Sequence, residues 1–270
     1  MGLFNRVKNK FRTWVFFCAL SVFLVFGSPA WAAEIVARGS DSTIEAVKAL
    51  TAAFKAKGGA EIKVEGGGSS KGAKDCLAGQ VPLAFLSRGL KDKETKAGLV
   101  GVPYAIDGVA IIVNKANPID NLSLEQLKAI YTGKMKQWPD GKPIVAFNRN
   151  PDSGTREVFQ EKVLGKEKFA PNIPIKHDQA LAPTISKVVT AMGYTSAGHA
   201  ERETNLIKVV KVNGVEPTSA NLRNKSYPLV RVPHFATKGQ PTGDIKAFID
   251  FAVSEEGQKV LQKVGLISLK

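Results

Sequence analysis

Short apolar runs bounded by glycine, serine and charged residues alternate along this chain with longer stretches in which apolar positions recur every three or four residues. The first rhythm fits buried strands and the second fits helices packed on one face. Residues 34–38 (EIVAR) predict a first strand, after which Ile44, Val47, Leu50 and Phe54 line one side of a helix. Residues 61–65 (EIKVE) predict a second strand, followed by a glycine-serine turn and a helix through Ala73, Leu77 and Ala78. A third strand is predicted over 82–86 (PLAFL), ending at Ser87 and Arg88, and a strongly apolar one over 109–113 (VAIIV). Ser123 and Gln126 have the spacing of a capping box, with Leu122 placed as a hydrophobic staple. Leu124, Leu127, Ile130 and Tyr131 supply the buried side of that helix, and Gly133 is its expected stop. The run at 143–147 predicts another strand, followed by a helix with Val158, Phe159 and Val163 on one face. Ile185, Val188, Val189 and Met192 are spaced for one further helix, and Phe248, Phe251, Val260 and Leu261 add core near the C-terminus. Strands alternating with helices in this way predict an α/β fold.

Three of the predicted strand-to-helix joints share one chemistry: GSDST (39–43), GSSKG (68–72) and DSGT (152–155). Backbone N–H groups at a helix start have no partner within the helix, and the helix dipole favours negative charge there. Gly154 allows a ligand close to the backbone. Arg149, just upstream, could add a planar fork of donors, or could form a surface ion pair with Asp152. Any one of these loops reads as a capped helix start, with Ser153 as the cap. Three together favour a small oxyanion site at the carboxyl ends of the strands. The third loop is far from the first two in sequence, which suits a cleft between two lobes.

The first 32 residues have the form of a secretory signal. Arg6, Lys8, Lys10 and Arg12 are a basic start, 14–26 is an apolar stretch short for a membrane span, and Ala30-Trp31-Ala32 is a cleavage site. Phe16 and Phe17 before Cys18 argue against a lipid anchor there. Cleavage would leave Cys76 alone, so no intramolecular disulfide is expected, and Cys76 reads as a small core residue. The chain carries +14, and losing four signal cations leaves +10. That charge favours anionic partners. The basic residues are scattered and aromatics are few, so no nucleic-acid partner is expected.

The segments GSDST (39–43), GGGSSKG (66–72), PLAFLSR (82–88), AIDGVAIIVN (105–114) and NRNPDSGTREVF (148–159) resemble the periplasmic phosphate-binding proteins of phosphate ABC importers. So do LSLEQLKAIYTGKMKQW (122–138), MGYTSAG (192–198), NGVEPT (213–218), YPLVR (227–231) and SEEGQKVLQKVGLISL (254–269). The resemblance covers nearly all of the chain beyond the signal. It implies a two-lobed type II periplasmic binding protein fold with the ligand cleft between lobes. Residues 33–112 and 227–270 would form one lobe and 113–226 the other, with crossings near Val113 and Tyr227. It places phosphate contacts on Asp41, Ser42, Ser69, Ser87, Arg149, Ser153, Gly154 and Thr155. It implies delivery of inorganic phosphate to a membrane ABC permease by a periplasmic monomer, with no cofactor or metal. Two positions depart from the family pattern. Ser87 stands where an aspartate is usual, and Lys71 where a glycine is usual; Lys71 is expected to point to solvent.

Three other readings compete. A binder of sulfate or another tetrahedral anion would use the same loops. A sensing or adhesive module would keep the fold and lose transport. A hydrolase with Ser69 or Ser153 as nucleophile needs a base, yet His177, His199 and His234 lie in no catalytic motif and no G-x-S-x-G elbow is present. A site that separates hydrogen phosphate from sulfate needs an acceptor for the phosphate proton. The Ser87 hydroxyl can turn to donate. Asp41 is therefore the expected acceptor, with capping of the helix near Thr43 as its alternative role.

Overall fold

The computed structural model describes residues 34–270 except 172, 176 and 177. The expected signal over 1–32, Cys18 within it, and His177 lie outside the described residues.

The first lobe opens with β1 (Ile35–Gly39), β2 (Ile62–Glu65), β3 (Leu83–Leu86) and β4 (Leu99–Pro103). β1 runs parallel to both β2 and β3. Parallel neighbours require crossovers, and the helices Ile44–Ala56 and Ser69–Leu77 provide them. The second lobe contains β5 (Asp107–Asn114), β6 (Asn121–Leu122), β7 (Val145–Arg149), β8 (Ile173–Ile175), β9 (Ala191–Ser196), β10 (Ile207–Val212) and β11 (Val230–Arg231). β12 (His234–Lys238) then returns to the first lobe. The sheet orders are β2-β1-β3-β12-β4 and β6-β10-β5-β9-β7-β8, with β11 paired to β5.

This pairing moves both crossings from their expected places. β5 is buried along its whole length and runs antiparallel to β9 and β10. The apolar run at 109–113 is thus the middle of the second sheet, not the end of the first. The chain crosses between β4 and β5, ahead of Val113, and returns between β11 and β12, beyond Tyr227. An all-apolar strand has the same pattern in either sheet, so periodicity cannot assign it. The two crossings are held together where the Tyr104 N–H donates to Pro233 O at 3.0 Å.

Each sheet has its own core. In the first lobe Val47, Leu50 and Phe54 pack with Leu83, Phe85, Phe235 and Phe248. Phe248 belongs to the helix Gly243–Val253, so the end of the chain closes the lobe that its beginning opens. In the second lobe Phe159 stacks on Tyr194 at 4.3 Å, and Tyr131 meets both rings edge-on. The capping box forms as expected: Ser123 Oγ accepts from Gln126 N–H at 3.1 Å, and Gln126 Oε1 accepts from Ser123 N–H at 2.8 Å. Leu122 and Leu127 share the second core, and Gly133 has a φ of 78°.

The helix expected through Ile185, Val188, Val189 and Met192 is not formed. A helix ends at Ile185, Val189 is 47% exposed, and Met192 belongs to β9. Ile185 and Met192 reach the same core from two elements, so their spacing imitates one helix face. Cys76 is a core residue, and burial pushes its thiol pKa up.

Candidate anion site

The three loops converge. Ser40 N–H donates to Phe85 O at 2.9 Å, which fixes the end of β1 against β3. Ser40 then caps the turn Asp41–Thr43, its Oγ accepting from Ser42 N–H at 3.3 Å. Asp41 is therefore not the cap. Its Oδ1 accepts from Gly67 N–H at 2.8 Å and so braces the second loop. A second tie runs from Gly68 N–H to Gly39 O at 2.9 Å.

The second loop depends on glycine for two reasons. Gly67 and Gly68 have φ of 119° and 104°, and a Cβ at Gly68 would stand 2.5 Å from Asp152 O in the other lobe. Ser69 begins the next helix, fully buried. Its Oγ lies 3.3 Å from Ser87 Oγ and accepts from Ser87 N–H at 3.1 Å.

The third loop follows β7. Ser153 caps the helix Gly154–Phe159, and its Oγ accepts from Arg156 N–H at 3.3 Å. A Cβ at Gly154 would lie 2.6 Å from Ser87 Oγ and closer still to Ser69 Oγ. Only glycine lets the start of this helix meet the other lobe there. Ser70 N–H donates to Asp152 O at 3.1 Å, and Thr155 Oγ1 donates to Ser42 Oγ at 3.0 Å. The lobes are in contact through the site, which describes a closed cleft.

All eight residues expected from the sequence are buried, and their elements meet at this one junction. Arg149 pairs with Asp178, each side chain 1% exposed. The partner is Asp178 and not Asp152. Burial lowers the Arg149 guanidinium pKa to about 10, against the opposing pull of Tyr194 and Asp41, so it remains charged at neutral pH. Lys71 is half-exposed, and its Nζ lies 2.6 Å from Asp75. On one side the junction opens to a cleft of about 880 Å³ lined by Asp41, Gly66, Gly67, Lys71, Asn150 and Asp152 among others.

Sequence reasoning missed five residues here: Arg231, Asp107, Ser196, Asp178 and Thr195. Arg231 contacts Asp107 through Nε and Nη2, at 2.9 and 2.7 Å. It also donates to Thr155 Oγ1 at 2.8 Å and Ser42 Oγ at 3.1 Å. Asp107 is held from behind by Ser196 Oγ, at 2.9 and 3.1 Å. Asp178, beyond its pairing with Arg149, accepts from Thr195 Oγ1 at 2.5 Å. Both Arg231 and Asp107 lie within quoted family-like segments, the one sequence signal available.

Among the described residues, neither His199 nor His234 is hydrogen-bonded to Ser69 or Ser153. His199 is buried, its Nε2 has no hydrogen-bond partner among the described residues, and His234 Nδ1 contacts Val232 O at 2.8 Å. Burial lowers both imidazole pKa values. Among the described residues no group of three or more His, Cys, Asp or Glu could hold a metal ion.

A family profile described as PBP superfamily domain matches residues 25–256. The phosphate-binding protein PstS of Pseudomonas aeruginosa is 30% identical over 239 residues, spanning 77% of this chain and 74% of its own. PstS of Bacillus subtilis is 31% identical over 206 residues, spanning 74% and 68% respectively. A Clostridium perfringens protein, assigned as a phosphate ABC transporter substrate-binding protein and solved with bound phosphate, superimposes with a TM-score of 0.83 at 36% identity. It covers 88% of this chain and 100% of its own. An ABC-type phosphate transport receptor of Vibrio cholerae gives 0.72 at 28% identity, covering 87% and 99%. A closed two-lobed fold, loops rich in donors meeting between the lobes, and this likeness along most of the chain agree: the protein belongs to the PBP superfamily, in its PstS-like phosphate-binding branch.

Proposed function

We propose that this protein binds inorganic phosphate between its lobes and delivers it to a membrane ABC permease, and that it performs no chemistry on the ligand. The observation that carries this reading is the meeting of three anion-favouring loops, from both lobes, beside the buried Arg149. Its relatives named for phosphate binding, and the phosphate-bound structure from Clostridium perfringens, support the choice of anion. Asp41, Ser42, Ser69, Ser87, Arg149, Ser153, Gly154 and Thr155 form the ligand set in this reading. Hydroxyls, backbone N–H groups and a guanidinium supply donors, and closure removes water from them.

In the same reading residues 1–32 are a cleaved signal, and the mature protein acts outside the cytoplasm as a monomer. No helix among the described residues is long and apolar enough to cross a membrane. The test is calorimetric titration of ligand-stripped protein with phosphate, sulfate and arsenate. Tight binding of phosphate and arsenate with weak binding of sulfate is expected. Preference for sulfate would favour the other tetrahedral-anion reading.

A further inference from the structure

Arg231 touches both lobes from the second crossing. It follows β5 in pairing, with Arg231 opposite Asp107, and its side chain is 1% exposed. Its guanidinium reaches Thr155 in the second lobe and Ser42 in the first. Guanidinium has donors and no acceptor. Both hydroxyl oxygens must therefore accept from it.

The direction of the remaining bonds follows from valence. A hydroxyl has two acceptor positions and one proton. Thr155 Oγ1 accepts from Arg231 and donates to Ser42 Oγ. Ser42 Oγ thus accepts twice, from Thr155 and from Arg231. Its one remaining capacity is its own proton. In this structure Ser40 Oγ lies 3.0 Å away and can take it. An oxyanion oxygen can replace Ser40 as the acceptor, but Ser42 has no lone pair left for a ligand O–H.

We propose that Arg231 is a positioning residue that, directly and through Thr155, locks the Ser42 hydroxyl as a donor, so that at Ser42 the site takes only an unprotonated ligand oxygen. The Asp107 carboxylate, held by Ser196, fixes the guanidinium in the plane that reaches both hydroxyls. The inference deepens the phosphate-binding reading and rests on it. It also places the phosphate proton on an oxygen other than the one that Ser42 binds.

The test is a calorimetric cycle with inorganic phosphate on the wild-type protein, Arg231→Lys, Ser42→Ala and the double variant. Lysine retains a charge for Asp107 and loses the planar fork. Arg231→Lys is expected to weaken binding at least about tenfold. Ser42→Ala on that background should cost no more than about twofold further, because groups that act as one unit are not additive. Independent, multiplying effects would overturn the proposal, as would an Arg231→Lys variant that binds like the wild type. If Arg231→Lys fails to fold by circular dichroism, the cycle of Thr155→Val with Ser42→Ala reads the same relay. Coupling is expected there, and additivity overturns it. A wild-type protein that takes up no phosphate would overturn the functional reading, and this inference with it. A wild-type protein that binds, beside an unaffected Arg231→Lys, overturns this inference alone.

Discussion

Ser70 in the first lobe donates its hydroxyl to Glu157 Oε1 in the second at 2.5 Å. The other Glu157 oxygen faces Arg88 Nε at 2.5 Å and Lys91 Nζ at 2.8 Å, both from the first lobe. Arg88 is itself gripped by both carboxylate oxygens of Glu94. This cluster extends the junction from Ser70 of the second loop to Arg88 and Lys91, and its bonds to Glu157 cross between the lobes. Closed-state contacts of this kind add to apparent ligand affinity, because binding and closure share one equilibrium. Glu157→Gln should weaken phosphate binding by about 1.5 kcal/mol, near tenfold, with most of the change in the dissociation rate. Stopped-flow release at wild-type speed would show that the cluster holds no closure energy.

Arg149 and Asp178 should be separable into stability and binding. Arg149→Ala leaves a buried carboxylate without its cation, which costs about 3–5 kcal/mol of stability, and phosphate binding should be lost. Arg149→Met combined with Asp178→Asn removes both charges. Thermal melts should then return toward the wild type while calorimetry still shows no phosphate uptake. Binding restored in the paired variant would take Arg149 out of the ligand set.

Asp41→Asn tests the acceptor role directly. An amide oxygen can still accept from Gly67 N–H, so the melting curve should move by less than about 1 kcal/mol. The ratio of phosphate to sulfate affinity should fall, because the substituted side chain is a weaker acceptor for a ligand proton. An unchanged ratio would reduce Asp41 to a brace between loops.

Acid should destabilise the protein partly through His199. Burial, and then Arg202, hold its folded pKa below the ordinary value of 6.5. Between the two values the unfolded chain binds more protons, so stability rises with pH across that window. Its contribution is complete above pH 6.5 and is lost as pH falls toward the folded value. His199→Gln should flatten this part of a urea-unfolding series measured from pH 7.5 to 5.

The loops were readable from the sequence because their chemistry is local: glycine, hydroxyls and a helix start lie within five residues of one another. The first three strands and the capping box were readable for the same reason. Arg231 was not, since its partner Ser42 lies 189 residues away and no short pattern marks a lone arginine as buried. Asp107 was hidden by its neighbours, because the apolar run after it drew attention to strand packing and away from the carboxylate at its head. The place of β5 was also beyond periodicity, which reports burial and not the sheet that provides it. Ser153 showed a different limit. Its role as a helix cap is present in the structure, and capping leaves the hydroxyl proton available, so the two readings posed as alternatives are compatible.

β3 and β4 follow one another in the chain, yet β12 lies between them in the sheet. During synthesis both strands emerge more than a hundred residues before the one that joins them. The half of the molecule begun first is therefore finished last, while every strand of the other half has already left the ribosome. A transcript truncated after Arg231 would retain every strand of that other half and leave β4 without the strand it pairs with. Losing the end of the chain would thus damage the part of the protein that its beginning builds.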